Sequence, residues 1–428
     1  MRFALINPSW NFEGSIYFGC REPHLPLEFG YAKALLEENG HDALLVDGHL
    51  NSLSESEIYD RVRAFRPDFV AVTTAPTYLF WRCPPPELRV PQSLFGLLRD
   101  LPAKLIAVGP HGSTTPRAAL NKLGADAVVL GECEEILLQL AAGLETASSV
   151  AYAESGRVII RGPNRAADMK CLPPLIWPKE TVARHGHHHH RFDAPPAGPG
   201  AEMEASRGCP YHCTFCAKDN FRNNYRKRPL DTILQEVDRF LAQGVEYIYF
   251  IDEIFLPDAA LLRALAERAV KIGVQTRIDL WNEEAIRALA RAGCVSIEAG
   301  VESITESGRA YLDKKCKLST DQLTNRLIFA KQLVPFVQGN LLAMTEDDAK
   351  AIEDWRERLH HHGVWANKPV PLFPYPGSPE YTRMWGPPDD LAWDRAHEFY
   401  LHGFDRFSDV QEQRPQPLVE LETTRHGR

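Results

Sequence analysis

The chain has 428 residues, 44% of them hydrophobic, with 48 Lys and Arg against 57 Asp and Glu. That length suits two domains with real cores, and a formal net charge of -9 argues against a nucleic-acid groove, which would leave a basic footprint. No apolar run approaches the ~20 residues of a membrane span. Met1 to Pro8 is too short and too soon broken by proline for a signal peptide, so nine cysteines without such a leader point to a reducing, cytoplasmic compartment. A small-molecule substrate is the default, with neither nucleic acid nor membrane as partner.

From residue 2 to about 145, short apolar runs alternate with amphipathic ones. Arg2 to Asn7 reads as a buried strand, Leu27 to Asn39 as a helix ended by Gly40, and Ala43 to Val46 as a second strand. Ser54 to Phe65 reads as a helix with Ser54 as N-cap, then Phe69 to Thr73 as a strand and Gln92 to Leu98 as a helix. Lys104 to Val108 and Ala125 to Leu130 are further strands before a helix over Glu134 to Gly143. Such alternation predicts an α/β fold, a parallel sheet wrapped on both faces, which binds ligands at the carboxyl ends of its strands. Those ends carry Asn7-Pro8-Ser9, Thr73-Thr74-Ala75-Pro76, Val108-Gly109-Pro110-His111-Gly112-Ser113 and Leu130-Gly131-Glu132-Cys133-Glu134. These small or polar residues would let a large ligand approach the backbone. The candidates are Thr73, Thr74, Gly109, His111, Gly131 and Glu132. A bulky Tyr78 to Pro86 loop with Trp81 and Arg82 stands at the same edge, either as a pocket wall or as a packed cover.

Ser149 to Ile160 reads as a hairpin turning at Ser155-Gly156. A Pro- and His-rich stretch with His185 and His187 to His190 follows and reads as a solvated linker. Then comes Cys209-Pro-Tyr-His-Cys213-Thr-Phe-Cys216. Cysteines this close are structural thiols, one arm of a zinc site with His212 among them, or iron-sulfur ligands. Three thiolates leave a four-iron cluster one iron short, and an open iron can bind a substrate or cofactor. Zinc sites usually come as two spaced pairs, and no second pair follows.

After Cys216 the alternation resumes. Helices are predicted over Thr232 to Gln243, Ala259 to Ile272, Glu283 to Ala292, Asp321 to Leu333 and Glu346 to His361. Strands are predicted over Tyr247 to Ile251, Gln275 to Ile278, Val295 to Ala299, Phe336 to Leu342 and Val370 to Phe373. With a strand expected just before Cys209, six strand-helix units make a partial parallel barrel with its chemistry at the carboxyl-end face.

The stretch Ser206-Arg207-Gly208-Cys209 to Cys216, with the aromatic Phe215 before its last cysteine, closely resembles the signature of the radical S-adenosylmethionine (radical SAM) enzymes. The resemblance covers about residues 201 to 385 and implies a [4Fe-4S] cluster on Cys209, Cys213 and Cys216. Its open iron would chelate S-adenosyl-L-methionine, and an external one-electron reductant such as flavodoxin or ferredoxin would drive cleavage to a 5'-deoxyadenosyl radical. The family's contact to the methionine amino group falls on Asp252 and Glu253. Arg277 and Asp279 end the third strand. The ribose contact falls on Glu298 and Glu302, both expected to end the fourth. Pro374-Tyr375-Pro376-Gly377-Ser378 resembles a PYPGT turn, whereas Gly339-Asn340-Leu341-Leu342-Ala343 departs from the usual G-x-P-G-E.

In this company the GPH and GE-x-E turns resemble the cobalamin (B12)-binding domain that precedes many radical SAM domains. Asp47-Gly48-His49 departs from the D-x-H-x-x-G of members with a histidine on cobalt, since Ser52 stands where glycine is needed. His49 is therefore read as a loop residue. The chain also resembles a compact subgroup labelled rhizo-twelve. The domains implied are a Rossmann-like cobalamin-binding domain over 1-145, a hairpin and linker over 146-200, a partial (β/α)6 radical SAM barrel over 201-395 and a tail over 396-428.

The implied reaction is C-methylation of an unactivated carbon. A rearrangement or cyclisation without methyl transfer is the alternative. A non-catalytic metal or cobalamin sensor would need a DNA-binding or signalling module, and none is visible in the sequence. Nothing after Cys316 is cysteine, which sets the chain apart from members with auxiliary clusters. The placement of Cys20, Cys83 and Cys133 on the first sheet argues against a methylthiotransferase.

Overall fold

The computed structural model describes residues 1–10, 23–76, 84, 86, 88–185, 199–218, 221–345 and 347–404. The His187 to His190 tract, Cys20, Cys83, and Trp81 and Arg82 of the aromatic loop lie outside the described residues, as does the tail beyond 404. The chain divides into two compact units: residues 1–177, 216–225 and 374–402 make the first, and 178–215, 226–373 and 403–428 the second.

The first unit holds a seven-stranded sheet. Its strands are β1 (Arg2–Asn7), β2 (Asp42–Asp47), β3 (Phe69–Thr73), β4 (Lys104–Val108), β5 (Ala127–Val129), β6 (Val150–Glu154) and β7 (Arg157–Arg161). The order is β2-β1-β3-β4-β5-β6-β7, parallel as far as β5. Every residue of β3 is buried, as are all but the first of β1 and β4. Near-continuous apolar strands of this kind belong to a sheet covered on both faces. The helix Glu55–Phe65 starts at a capping box, with Ser54 and Glu57 each satisfying the other's backbone N–H.

Two features differ from expectation. The hairpin is not part of a linker, because β6 pairs antiparallel with β5 and extends the sheet. Two short helices, Pro110–Thr114 and Pro116–Leu123, fill the crossover between β4 and β5, each with proline in its first turn. The segments from later in the chain are tied in by buried contacts. Arg222 donates to Glu28 at 2.6 Å with both side chains almost fully buried, and Trp393 lies against His111 with ring centroids 4.2 Å apart.

The second unit contains β8 (Gly200–Met203), the short antiparallel pair β9 (Ser206–Arg207) and β10 (Arg226–Lys227), then β11 (Tyr247–Phe250), β12 (Lys271–Thr276), β13 (Cys294–Glu302), β14 (Phe336–Ala343), β15 (Trp365–Ala366) and β16 (Val370–Pro371). Its parallel sheet runs β8-β11-β12-β13-β14-β15, with β16 also on β14. Strand order follows chain order, as strand-helix units closing toward a barrel require. A Cβ added at Gly339 would touch Trp355 and Leu327 of the helices Ala349–His361 and Thr320–Lys331, so that face of β14 is the helix-covered one.

Strand β12 begins at Lys271, inside the segment expected to be helical. Val270, Ile272 and Val274 alternate with other residues, and the helix stops at Ala266. Strand β13 runs on past Ala299 to Glu302, because Gly300 and Glu302 keep pairing with Asn340 and Leu341 across an irregularity. Glu298 therefore lies inside the strand and does not share its end with Glu302. Near the C-terminus a helix spans Ala392–Phe404, starting before the residue 396 at which the tail was expected to begin.

Candidate active site

The cysteine loop leaves β9 at Gly208, and the end of β11 holds it from below. Asp252, buried to 1% exposure, accepts from the Ala205 N–H at 2.9 Å and from the Ser206 hydroxyl. Glu253 accepts from the Gly208 N–H at 2.7 Å. The two carboxylates thus fix the backbone of residues 205–208 immediately before Cys209. Burial pushes the Asp252 carboxyl up to about 8; the hydrogen bonds from Ser206 and Ala205 pull it down, and Glu204 and Glu253 push it further up. Beneath them Arg207 and Glu204 form a fully buried pair at 2.8 Å. Arg228 grips Glu236 through two bonds of 2.7 and 2.9 Å and donates to the Glu204 carbonyl. A buried ion pair satisfied on several sides rigidifies its surroundings.

Arg277 just past β12 lies over the ring of Tyr211, 4.1 Å from its centroid, and makes a two-pronged pair with Asp279 at 3.2 and 2.7 Å. Its Nη1 is buried and has no hydrogen-bond partner among the described residues. On the other side, Thr214 donates its N–H to Leu312 at 3.0 Å, and Lys314, 1% exposed, pairs with Glu302. Glu302 holds a left-handed backbone at φ 64. Lys314 was not singled out from the sequence, since a lysine in Asp313-Lys314-Lys315 gives no sign of burial.

Cys209, Cys213 and Cys216 are each partly exposed, and Phe215 is half-buried. The division between the two units passes between Phe215 and Cys216. Among the described residues no three His, Cys, Asp or Glu are gathered closely enough to hold a metal ion. A four-iron cluster takes one cysteine per iron and does not gather them about one centre. Burial pushes the Cys213 thiol up to about 11, Lys314 and Arg277 pull it down, and Glu302 and Cys209 push it up. Two cations beside a half-buried thiol suit an anionic iron-sulfur group, whose metal would displace the thiol proton.

At the carboxyl edge of the first sheet the predicted residues interlock. Gly109, at φ 141, leaves room for Thr74, whose hydroxyl a Cβ would meet at 2.4 Å. Gly131, at φ 92, does the same for the Arg165 carbonyl at 2.1 Å. These glycines serve close packing of the chain on itself more than open access to the backbone. His111, fully buried, shares a 3.1 Å hydrogen bond with the Thr74 hydroxyl, and Glu132 accepts from the Ala167 N–H at 3.0 Å. Ser113 accepts from the Gly131 N–H at 2.9 Å and donates to the Gly109 carbonyl at 3.0 Å, stitching the two turns together. Thr73, at the end of β3, is fully buried and its hydroxyl has no partner among the described residues. An orphaned hydroxyl at a strand's carboxyl end fits a polar ligand group there. His49 sits in the short helix Gly48–Asn51, where its Nδ1 accepts from the Trp10 N–H at 3.1 Å.

Residues 203–359 match the family described as the Radical SAM superfamily. This span includes all three motif cysteines and the ends of β11 to β14. Along most of its length the chain is similar to an uncharacterized methyltransferase of Pyrococcus horikoshii, 23% identical over 90% of this chain and 82% of that protein. It is also similar to the anaerobic magnesium-protoporphyrin IX monomethyl ester cyclase of Rubrivivax gelatinosus, 21% identical over 86% of this chain and 68% of that one. Among solved structures it shares the fold of the radical SAM methyltransferase TsrM from Kitasatospora setae. A form with cobalamin and a [4Fe-4S] cluster bound gives a TM-score of 0.69 at 16% identity, over 89% of this chain and 73% of that one. A form with tryptophan and a SAM analogue gives 0.71 at 17%. No helix among the described residues is long and apolar enough to cross a membrane.

Proposed function

We propose that this chain is a cobalamin-dependent radical SAM enzyme that methylates an unactivated carbon of a small-molecule substrate. The observation that carries the reading is the match of residues 203–359 to the Radical SAM superfamily, a span that includes Cys209, Cys213 and Cys216. Likeness over most of the chain to a methyltransferase supports the reaction type. Cys209, Cys213 and Cys216 would hold the cluster, and the edge at Thr73 would hold cobalamin. When bound, the cluster and SAM supply a 5'-deoxyadenosyl radical and cobalamin a transferable methyl group, with an external one-electron reductant completing the system.

The chain's own residues do the positioning. Asp252 and Glu253 clamp the backbone before Cys209, and Tyr211 is held under Arg277. The Arg277 Nη1 and the Glu302 carboxylate are candidate contacts for the polar ends of SAM. Likeness to the cyclase favours one second reading, a radical cyclisation or rearrangement in which no methyl moves. Incubating the reduced, reconstituted protein with substrate candidates and SAM labelled in its methyl group separates the two. Label in the product together with 5'-deoxyadenosine supports methylation. Product without label supports the second reading, and absence of 5'-deoxyadenosine contradicts both.

A further inference from the structure

The face of the second sheet that lies opposite Gly339 is polar in its middle. Gln275 of β12 pairs in register with Glu298 of β13, and Glu298 with Gln338 of β14. Adjacent strands lie ~4.8 Å apart, so the three side chains form one continuous row. They share the face opposite Gly339, the residue whose Cβ would touch the covering helices. Below the row the same face is closed: Tyr247 and Tyr249 are fully buried, and a Cβ at Gly273 would run into both rings. Above it the face opens, because Gly300, Glu302, Asn340 and Leu342 are partly exposed while the alternating Val301 and Leu341 stay buried. The row therefore lies at the foot of this partly exposed end of the face, where the Glu302 carboxylate turns back over Gly300 past the irregularity in β13.

The row presents acceptors. Gln338, 5% exposed, donates its Nε2 to Asn340 at 2.5 Å, and its Oε1 is buried without a hydrogen-bond partner among the described residues. The Oε1 of Gln275 is likewise buried and without one. Glu298, 8% exposed, stands between them. The cations at the rim are matched to their own acids, Arg277 to Asp279 and Lys314 to Glu302. Two unmet carbonyl oxygens flanking a carboxylate ask for a group that is rich in donors and positively charged.

We propose that this row seats an ammonium or guanidinium group of the substrate, which makes the substrate class a cationic amine. The inference rests on the radical SAM reading given above. Its test uses the full-length, anaerobically reconstituted protein with n-butylammonium chloride as probe and 1-butanol as its neutral counterpart, each titrated by saturation-transfer NMR. Butylammonium is expected to bind, and butanol at least about tenfold more weakly, since a hydrogen bond to a charged group is worth roughly that factor more. Glu298→Gln and Gln338→Leu should each weaken butylammonium binding about tenfold. Gln275→Met, at a half-exposed position, should do the same and keeps the test alive if Gln338→Leu fails to fold; iron content and circular dichroism report folding. Absence of butylammonium binding, equal binding of butanol, or variants that bind like the parent would overturn the proposal. Reductive SAM cleavage by the parent protein in the same buffer separates the two failures. Cleavage without amine binding sinks this inference alone, and absence of cleavage sinks the functional reading.

Discussion

The two parallel sheets of this molecule place their polar groups differently. In the first, β1, β3 and β4 are apolar on both faces, and polar side chains appear only where the strands end, at Asn7, Thr73 and the Gly109 and Gly131 turns. In the second, one face packs on helices while the other carries Glu202, Tyr247, Tyr249, Gln275, Ser296, Glu298 and Gln338. A sheet covered on both faces can meet a ligand only along an edge, whereas a sheet curling toward a barrel can also receive one against its inner face. The edge suits a large cofactor laid across strand ends, and the inner face suits a smaller group enclosed between strands.

The comparison is broken most severely at the cysteine loop. Cys213→Ala should reduce SAM cleavage to background and lower bound iron, measured as 5'-deoxyadenosine by chromatography and iron by colorimetry, because a cluster with two cysteine ligands loses the geometry that presents its open iron. Next comes the first sheet's edge. Gly131→Ala forces a Cβ to 2.1 Å from the Arg165 carbonyl at a φ of 92, so thermal stability should fall by ~2 kcal/mol or more, together with cobalamin retained on gel filtration. Unchanged melting would mean that the turn is not packed as described.

A third effect is a pH dependence. Asp252 is held at about 8 against an ordinary 3.8, so the folded chain keeps a proton that the unfolded chain releases. The stability this gives is fully present below the ordinary value and is lost as pH rises toward and through 8. Melting temperature should fall from pH 6 to 9, and Asp252→Asn, which mimics the protonated side chain, should flatten that fall. An equal slope in both proteins would show that Asp252 titrates normally. The smallest effect is at His49. His49→Ala removes one acceptor from the Trp10 N–H, costing about 1 kcal/mol, and should leave the visible spectrum of bound cobalamin unchanged. A spectral shift would place this histidine on cobalt.

Much of the architecture was legible because both sheets are punctuated by glycine and proline at their strand ends and carry long apolar runs. Ser54 with Glu57 announced its helix through a local hydrogen-bond pair. Boundaries failed where a local signal served two structures. Val270 to Val274 suits the end of an apolar helix as well as a buried strand, and Pro110 of the Gly109-Pro110-His111 turn stands in the first turn of a short helix. The cysteine motif carried the candidate site, since its spacing is local. Its supports were not legible. Lys314 against Glu302, Arg277 over Tyr211 and the Gln275–Glu298–Gln338 row depend on pairing between segments distant in sequence.

The account turns on whether the three cysteines carry a reactive cluster. The most direct measurement is anaerobic reconstitution followed by metal analysis and incubation with SAM and a strong one-electron reductant. The account predicts about four irons per chain and formation of 5'-deoxyadenosine. About one zinc per chain, no iron and intact SAM would contradict it.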